Sequence, residues 1–397
     1  MRLVGKNQAF ILGVLLFWGS PRAIGQTLPW PLDNQNGPHR ITGTLGEYRT
    51  GIPLHFHDGV DVSTSSTFPS TTVKAILNGT IIDSNNGIGA NNNFVTIQSG
   101  QYILIYMHVV PSFSTTSIIV GDVIGDIYTA SNWTGHIHLE QILGAYDMNT
   151  LLGPQSGFRG FSDTDPPVID EVKLYDPASS TEISISSPIL RSEINIRSKA
   201  HGDQSWGSNN VGVFEMGYQI VDAGTGQIRT QAYPTQAYAR IPTASINNPE
   251  VAYDTTSSNN SNYYYFVNKS IPVSAPISLT SLQSGTYKAC VLVKDAKDPR
   301  LISSCSTFRL DKTKPTTTLR DANGVELFSG GASSMTSINV TSTDTFGLAQ
   351  IAITGVAPRS VTGLTATETF TGLADGSYTA TVTDLAGNVN SNNLAAA

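Results

Sequence analysis

After residue 30 the chain shows almost no apolar spacing of the helical kind. What recurs is short β-branched runs bounded by Gly, Asn, Ser and Pro. Runs punctuated in this way predict strands joined by turns, so the expected fold class is all-β. At 397 residues the chain should hold about two to four domains. One boundary falls near DTDPPVIDEV, where two prolines follow a long front segment, and a similar one falls near DKTKPTTTL. The stretches after these boundaries close with related text, SGTYKACVLVKDAKD and DGSYTATVTDLAGN, which reads as a repeat. The expected division is a front domain over residues 26–160, a module over 161–312 and another over 313–397. The first module is the longer. Its excess lies around PEVAYDTTSSNNSNYYYF, as a loop elaboration or a small extra hairpin.

The front segment concentrates metal-capable side chains. His57, Asp61, His108, His136 and His138 stand in HDGVD, YMH and GHIHLE and use five of the seven histidines. Zinc favours imidazole nitrogen and carboxylate oxygen, and a catalytic zinc keeps one of four positions for water. In GHIHLE the sheet period of two puts His136 and His138 on one strand face, roughly 6 to 7 Å apart. His57 and Asp61 sit four apart, but Gly59 between β-branched Val60 and Val62 and the first histidine disfavours a helix. Fully extended, the pair would be about 13 Å apart, too far for bonds of about 2 Å to one ion. The chain must therefore bend at Asp58 and Gly59.

These segments resemble the lysostaphin-type, or LytM-like, zinc endopeptidases, which cut peptide cross-links in bacterial peptidoglycan. HDGVD matches the H-x-x-x-D motif, YMH the middle tyrosine-x-histidine, and HIHLE the terminal H-x-H with its following acid, all in the family's order. ITGTLGEYR, TVKAILNGTII, NNGIGANNNFVTI and VGDVIGDI supply supporting text, and the resemblance runs over roughly residues 30 to 158. It implies an antiparallel β-sheet peptidase domain with His57, Asp61 and His138 as zinc ligands. It also makes His108 and His136 the catalytic pair beside the metal. No HExxH glutamate base is present, so those two imidazoles are the groups suited to orient water, move its proton and stabilise an oxyanion. The closing text of the two later modules resembles bacterial immunoglobulin-like and fibronectin-like domains, which implies two β-sandwiches.

The chain departs from the family pattern at Thr134 and Gly135 before the last motif, at Leu139 after it, and in MHV at the middle histidine. None of these removes a ligand. Degenerate family members that lost ligands act as activators of other hydrolases, a fate the intact set argues against. Elsewhere, His39 and His201 read as surface residues and His55 as groove lining or a bystander. Glu140 reads as a partner of a ligand histidine or as an outward residue after buried Leu139. Tyr48 and Arg49 either meet substrate or pack, and Tyr106 reads as core. The cluster Tyr263, Tyr264, Tyr265 and Phe266 could stack on sugars, although tyrosines in such strands more often pack.

Residues 1–25 read as a signal peptide. Arg2 and Lys6 form a basic start, residues 9–18 an apolar stretch too short to span a bilayer, and Ala23, Ile24 and Gly25 a cleavage site before Gln26. No lipobox cysteine follows, and no later stretch reads as a membrane span. Secretion or a periplasmic location is expected. Cys290 and Cys305 lie in one predicted hairpin; a disulfide suits an exported chain, and two thiols at this spacing match no zinc template. A net charge of −7 gives no general attraction to nucleic acid or anionic wall polymers, so any wall or protein partner of the later modules must be bound specifically. Two functions follow. One is a zinc endopeptidase acting on peptidoglycan cross-links. The other is a non-catalytic module that binds wall peptides or activates a hydrolase, with the later domains as adaptors.

Overall fold

The computed structural model describes residues 27–64, 69–129, 135–151, 157–203, 209–269, 275–298, 300–328, 332–333, 336–374 and 376–396. The expected signal peptide lies outside them. The all-β expectation is met: among the described residues the only helical elements are 3-10 turns at Ala90–Asn92, Thr243–Ser245 and Pro249–Val251. No helix among them is long and apolar enough to cross a membrane.

The front segment is built on an antiparallel sheet. Its main path runs Arg40–Gly43, Val60–Ser63, His136–Leu143, Tyr102–Met107, Asn93–Ser99, Gly79–Asn86 and Ser117–Ile118. Alternation decides the faces. Val60, Val62, Ile137, Leu139, Leu104 and Tyr106 point into one buried cluster with Trp30, Phe158 and Ile124, which leaves the intervening Asp61, His136 and His138 to the opposite face. Tyr106 is core, as read, and its hydroxyl receives the Ile76 amide at 3.1 Å.

A second cluster joins the strands of the next segment. Leu174, Ile194 and Ile196 come from one sheet, and Met216, Ile220, Val291 and Phe308 from another, so the two sheets face each other as a sandwich. Leu45, Tyr48 and Phe56 of the front segment are buried in this same cluster. Burial of a Leu or Phe side chain is worth on the order of 1.5–3 kcal/mol each, so the two segments are held by a shared apolar interior. The sheets are joined too: Tyr146–Met148 extends His136–Leu143 and pairs on its other edge with Arg240–Pro242.

The polar excess of the second segment folds back as a hairpin, with Tyr253 bridged to Tyr265, Asn259 to Asn262, and Tyr264–Phe266 laid beside Glu193–Asp203. Tyr263 and Tyr265 are buried and pack on Tyr253, so their ring faces serve the interior and not a sugar. Cys290 and Cys305 stand opposite each other in the hairpin Gly285–Lys294/Ile302–Leu310, and their sulfurs are bonded. A third cluster, with Ile338, Val340 and Phe370 from one sheet and Leu348, Ile351 and Val382 from another, makes a further sandwich.

Candidate metal centre

Strand register assembles the site. Val60–Ser63 lies between Arg40–Gly43 and His136–Leu143, and Asp61 is directly opposite both Gly43 and His138. Opposed residues in an antiparallel pair carry Cβ atoms about 4.5–5.5 Å apart, so Asp61 and His138 meet by register alone. His57 arrives from the bend that the spacing required: strand His55–Phe56 stops before it, and Val60–Ser63 resumes after Gly59. A Cβ on Gly59 would stand 2.6 Å from the Leu139 carbonyl oxygen and 2.8 Å from His138 Nε2. The bend can lie against that strand only with glycine there. His108 follows Tyr102–Met107 at φ 63°, a left-handed turn before Val109–Pro111, and its carbonyl receives the Tyr128 amide at 2.7 Å.

His57, Asp61 and His138 converge. His57 Nε2 lies 2.9 Å from His138 Nδ1 and 3.1 Å from Asp61 Oδ1, and His138 Nδ1 lies 3.1 Å from the same oxygen. Donors bound at about 2.0–2.2 Å to one tetrahedral ion stand roughly 3.3–3.6 Å apart, so the triangle fits one metal ion to within a few tenths of an ångström. Two imidazole nitrogens and a carboxylate oxygen are donors for a divalent transition metal. The His57 ring is oriented by its other nitrogen, where Nδ1–H donates to the Thr44 carbonyl at 2.8 Å, the usual device that aims Nε2 as a ligand. His138 Nε2 sits 3.1 Å from Asp58 Oδ1, at ion-pair distance.

The cluster favours a cation at its centre. Burial resists charge on Asp61, yet His57 and His138 hold its carboxyl well below the usual range. Burial likewise resists charge on His138, but Asp58 and Asp61 carry it up to about 10. Buried Asp61 and half-buried Asp58 want a positive charge beside them, which a proton on His138 or a metal ion supplies.

His108 and His136 stand next to the triangle, not in it. Their rings are 5.0 Å apart in an edge arrangement, and His136 Nε2 is 3.7 Å from Asp61 Oδ1. Burial, with the neighbouring His136, lowers His108 to about 4. All five residues line one open cleft of about 680 Å³, shared with Arg49, His55 and Asn260.

Arg49 is a cleft residue, and Tyr48 packs on Tyr253 in the interior. The Arg49 Nη2 donates to Glu47 Oε2 at 2.9 Å and to Asp61 Oδ2 at 3.2 Å. Glu47, 1% exposed, collects donors from both segments: the Thr44 amide at 2.6 Å, Thr44 Oγ1 at 3.0 Å, the Gly212 amide at 3.1 Å and the Tyr263 hydroxyl at 3.2 Å. The second segment thus reaches Asp61 through two side chains. It also reaches the rim, where Asn260 Oδ1 accepts from the Thr50 amide at 2.8 Å.

Other expectations meet mixed outcomes. His55 lines the cleft. Glu140 lies on the face of His136 and His138, away from the Leu139 core, but is covered there, with an oxygen within 4.8 Å of His138 and Asp58; burial and the nearby Asp58 push its carboxyl up to about 8. His39 is not a surface residue: it is fully buried, edge-on to Trp30 at 5.5 Å. Glu47, Asp58 and Asn260 were missed. Asp58, inside the first motif, was open to recognition, whereas the roles of Glu47 and Asn260 depend on contacts more than 160 residues away in sequence.

No protein-family model matches the chain, and no curated protein matches it. Among solved structures, CbpA from L. salivarius REN is 27% identical over 29% of this chain and 76% of its own, with a TM-score of 0.23. The antimicrobial peptidase lysostaphin from Staphylococcus simulans is 14% identical over 53% of this chain and 97% of its own, at a TM-score of 0.28. The fibronectin(III)-like modules of Clostridium thermocellum CbhA overlap 57% of this chain at 10% identity and a TM-score of 0.23. The chain is similar in part to each of these proteins.

Proposed function

We propose that the cleft is the active site of an exported zinc-dependent endopeptidase that hydrolyses peptide cross-links of bacterial peptidoglycan. The observation that carries this reading is the triangle of His57 Nε2, Asp61 Oδ1 and His138 Nδ1, with edges of 2.9 to 3.1 Å, on the floor of an open cleft. In this reading those three residues hold the zinc, which when bound supplies a Lewis acid for the scissile carbonyl and lowers the pKa of attached water to about 7.

The rest of the chemistry belongs to the protein. His108, lowered to about 4, is neutral at pH 7 and can accept a proton from water or donate an N–H to an oxyanion according to its tautomer. His136, on the same strand face as His138, stands edge-on to His108 at 5.0 Å and is placed to share that work. Arg49 keeps Asp61 aimed at the donor triangle while presenting the rest of its guanidinium to the cleft, where a substrate carbonyl or carboxylate can be met. The working division is a signal peptide over residues 1–25, a peptidase domain over 26–160 and immunoglobulin-like modules over 161–312 and 313–397. The later modules are the natural place for a wall or protein contact.

The test is to incubate the zinc-loaded chain with cross-linked peptidoglycan and identify released fragments by mass spectrometry, beside His108→Ala. New amine and carboxyl ends from the wild type alone are expected, with zinc retained by the variant. Intact cross-links in the presence of bound zinc would instead favour a wall-binding or activating module.

A further inference from the structure

Where the second module meets the third, three aspartates converge. Asp311 follows strand Ile302–Leu310, Asp344 follows Ser337–Thr343, and Asp384 closes Gly376–Asp384. They are 0%, 9% and 2% exposed, and each offers an oxygen within 4.8 Å of the others. Oxygens on opposite sides of one calcium ion are at most about 5 Å apart, twice a bond of 2.3–2.6 Å. The spacing therefore suits a single hard cation.

One oxygen from each carboxylate is committed to the backbone. Asp311 Oδ1 accepts the Thr313 amide at 2.9 Å, Asp344 Oδ1 the Phe346 and Gly347 amides at 2.7 and 2.9 Å, and Asp384 Oδ1 the Ala386 and Asn388 amides at 2.9 and 2.8 Å. These bonds fix the carboxylates and turn their second oxygens to the cluster, where Asp384 Oδ2 also accepts the Asn388 side-chain amide at 2.9 Å. The second oxygen of Asp311 is buried with no hydrogen-bond partner. A buried, unpartnered carboxylate oxygen is costly, and two further carboxylates beside it raise the cost. Burial, together with Asp344 and Asp384, pushes the Asp311 carboxyl up. The adjacent Lys312 gives no relief, because its Nζ is turned to the Leu279, Thr280 and Leu282 carbonyls.

The same three places recur one module earlier. Asp163 stands in DTDPP as Asp311 stands in DKTKP, Asp203 closes Glu193–Asp203, and Asp295 follows Gly285–Lys294. Asp295 is 1% exposed, and after burial the groups that raise its carboxyl are Asp163, Asp298 and Asp203.

We propose that Asp311, Asp344 and Asp384 form a divalent-cation site, filled by calcium, that fastens the second module to the third. Oxygen-only donors select a hard ion, and the irregular spacing suits calcium's adaptable shell of six to eight oxygens better than magnesium's strict octahedron. The site is independent of the zinc reading, since no residue is shared.

The test uses the full zinc-loaded chain freed of calcium by dialysis and titrated with calcium chloride by calorimetry. Saturable binding with Kd of about 0.1–1 mM is expected, the range of extracellular calcium modules, with a rise in thermal midpoint. Asp384→Asn and Asp344→Asn keep the backbone hydrogen bonds through the amide oxygen, and each should weaken this binding at least about tenfold while zinc content stays at one equivalent. Because either variant could misfold, the wild-type calcium-dependent shift in thermal midpoint is read as well. Absence of saturable binding and of that shift in the wild type would overturn the proposal, as would unchanged calcium affinity in both folded variants.

Discussion

Glu47→Gln tests whether the second segment supports the metal centre. In the wild type Oε1 accepts three donors, the Thr44 amide, Thr44 Oγ1 and the Gly212 amide, while Oε2 accepts Arg49 and the Tyr263 hydroxyl. Glutamine can keep its carbonyl oxygen at the first position, which preserves three bonds. Its amide then faces the Arg49 guanidinium, donor against donor, and one charge-assisted bond worth about 1.5–3 kcal/mol is lost. Arg49 is left with Asp61 as its remaining charged partner, and an uncompensated cation beside a ligand carboxylate opposes a second cation. Loss of a partner in the shell behind a ligand typically costs 10–100-fold in metal affinity, about 1.4–2.7 kcal/mol. The assay is zinc competition against a chromophoric chelator at pH 7.5. Zinc affinity should fall by about that factor, and Tyr263→Phe, which removes only a hydroxyl, should fall less. A Glu47→Gln affinity within threefold of wild type would refute the idea that the Glu47–Arg49 link supports Asp61.

His57→Ala should lose zinc outright, read as metal content after dialysis, because it removes one corner of the donor triangle. Gly59→Ala should also lose the metal while leaving most of the far-ultraviolet dichroism, since its new methyl would displace His138 locally. For His39, burial lowers the imidazole below its ordinary 6.5. Below that pH the unfolded chain binds a proton that the folded chain resists, so stability falls as pH falls. The thermal midpoint of wild type should therefore drop more steeply between pH 7 and 5 than that of His39→Phe.

Each half of the centre, HDGVD and HIHLE, was legible because it is local, although the two halves stand 77 residues or more apart where Asp61 and His57 meet His138. The two-residue period of HIHLE fixes which side chains share a face, and Gly59 just ahead of β-branched Val60 and Val62 signals the bend that brings His57 back. The fold class was equally plain from turn residues between short β-branched runs. What the sequence hides is pairing. Nothing in EYR says that Glu47 will meet Gly212 and Tyr263, because side-chain partners from distant segments are set only when the sheets pack. His39 was misread for the same reason: a histidine between Pro38 and Arg40 looks exposed until Trp30 closes over it. The run of tyrosines was ambiguous because period two gives only alternation, and which face is buried depends on Tyr253 arriving from the hairpin.

The shared interior of the first two segments bears on how such a chain can be cut and recombined. Severing it near residue 160 would uncover Leu45, Tyr48 and Phe56 and strip the Gly212 and Tyr263 bonds from Glu47, so the front segment released alone would be sticky as well as weakened at its metal site. For the engineer who wants to graft this cleft onto another targeting module, the transferable piece ends near residue 312.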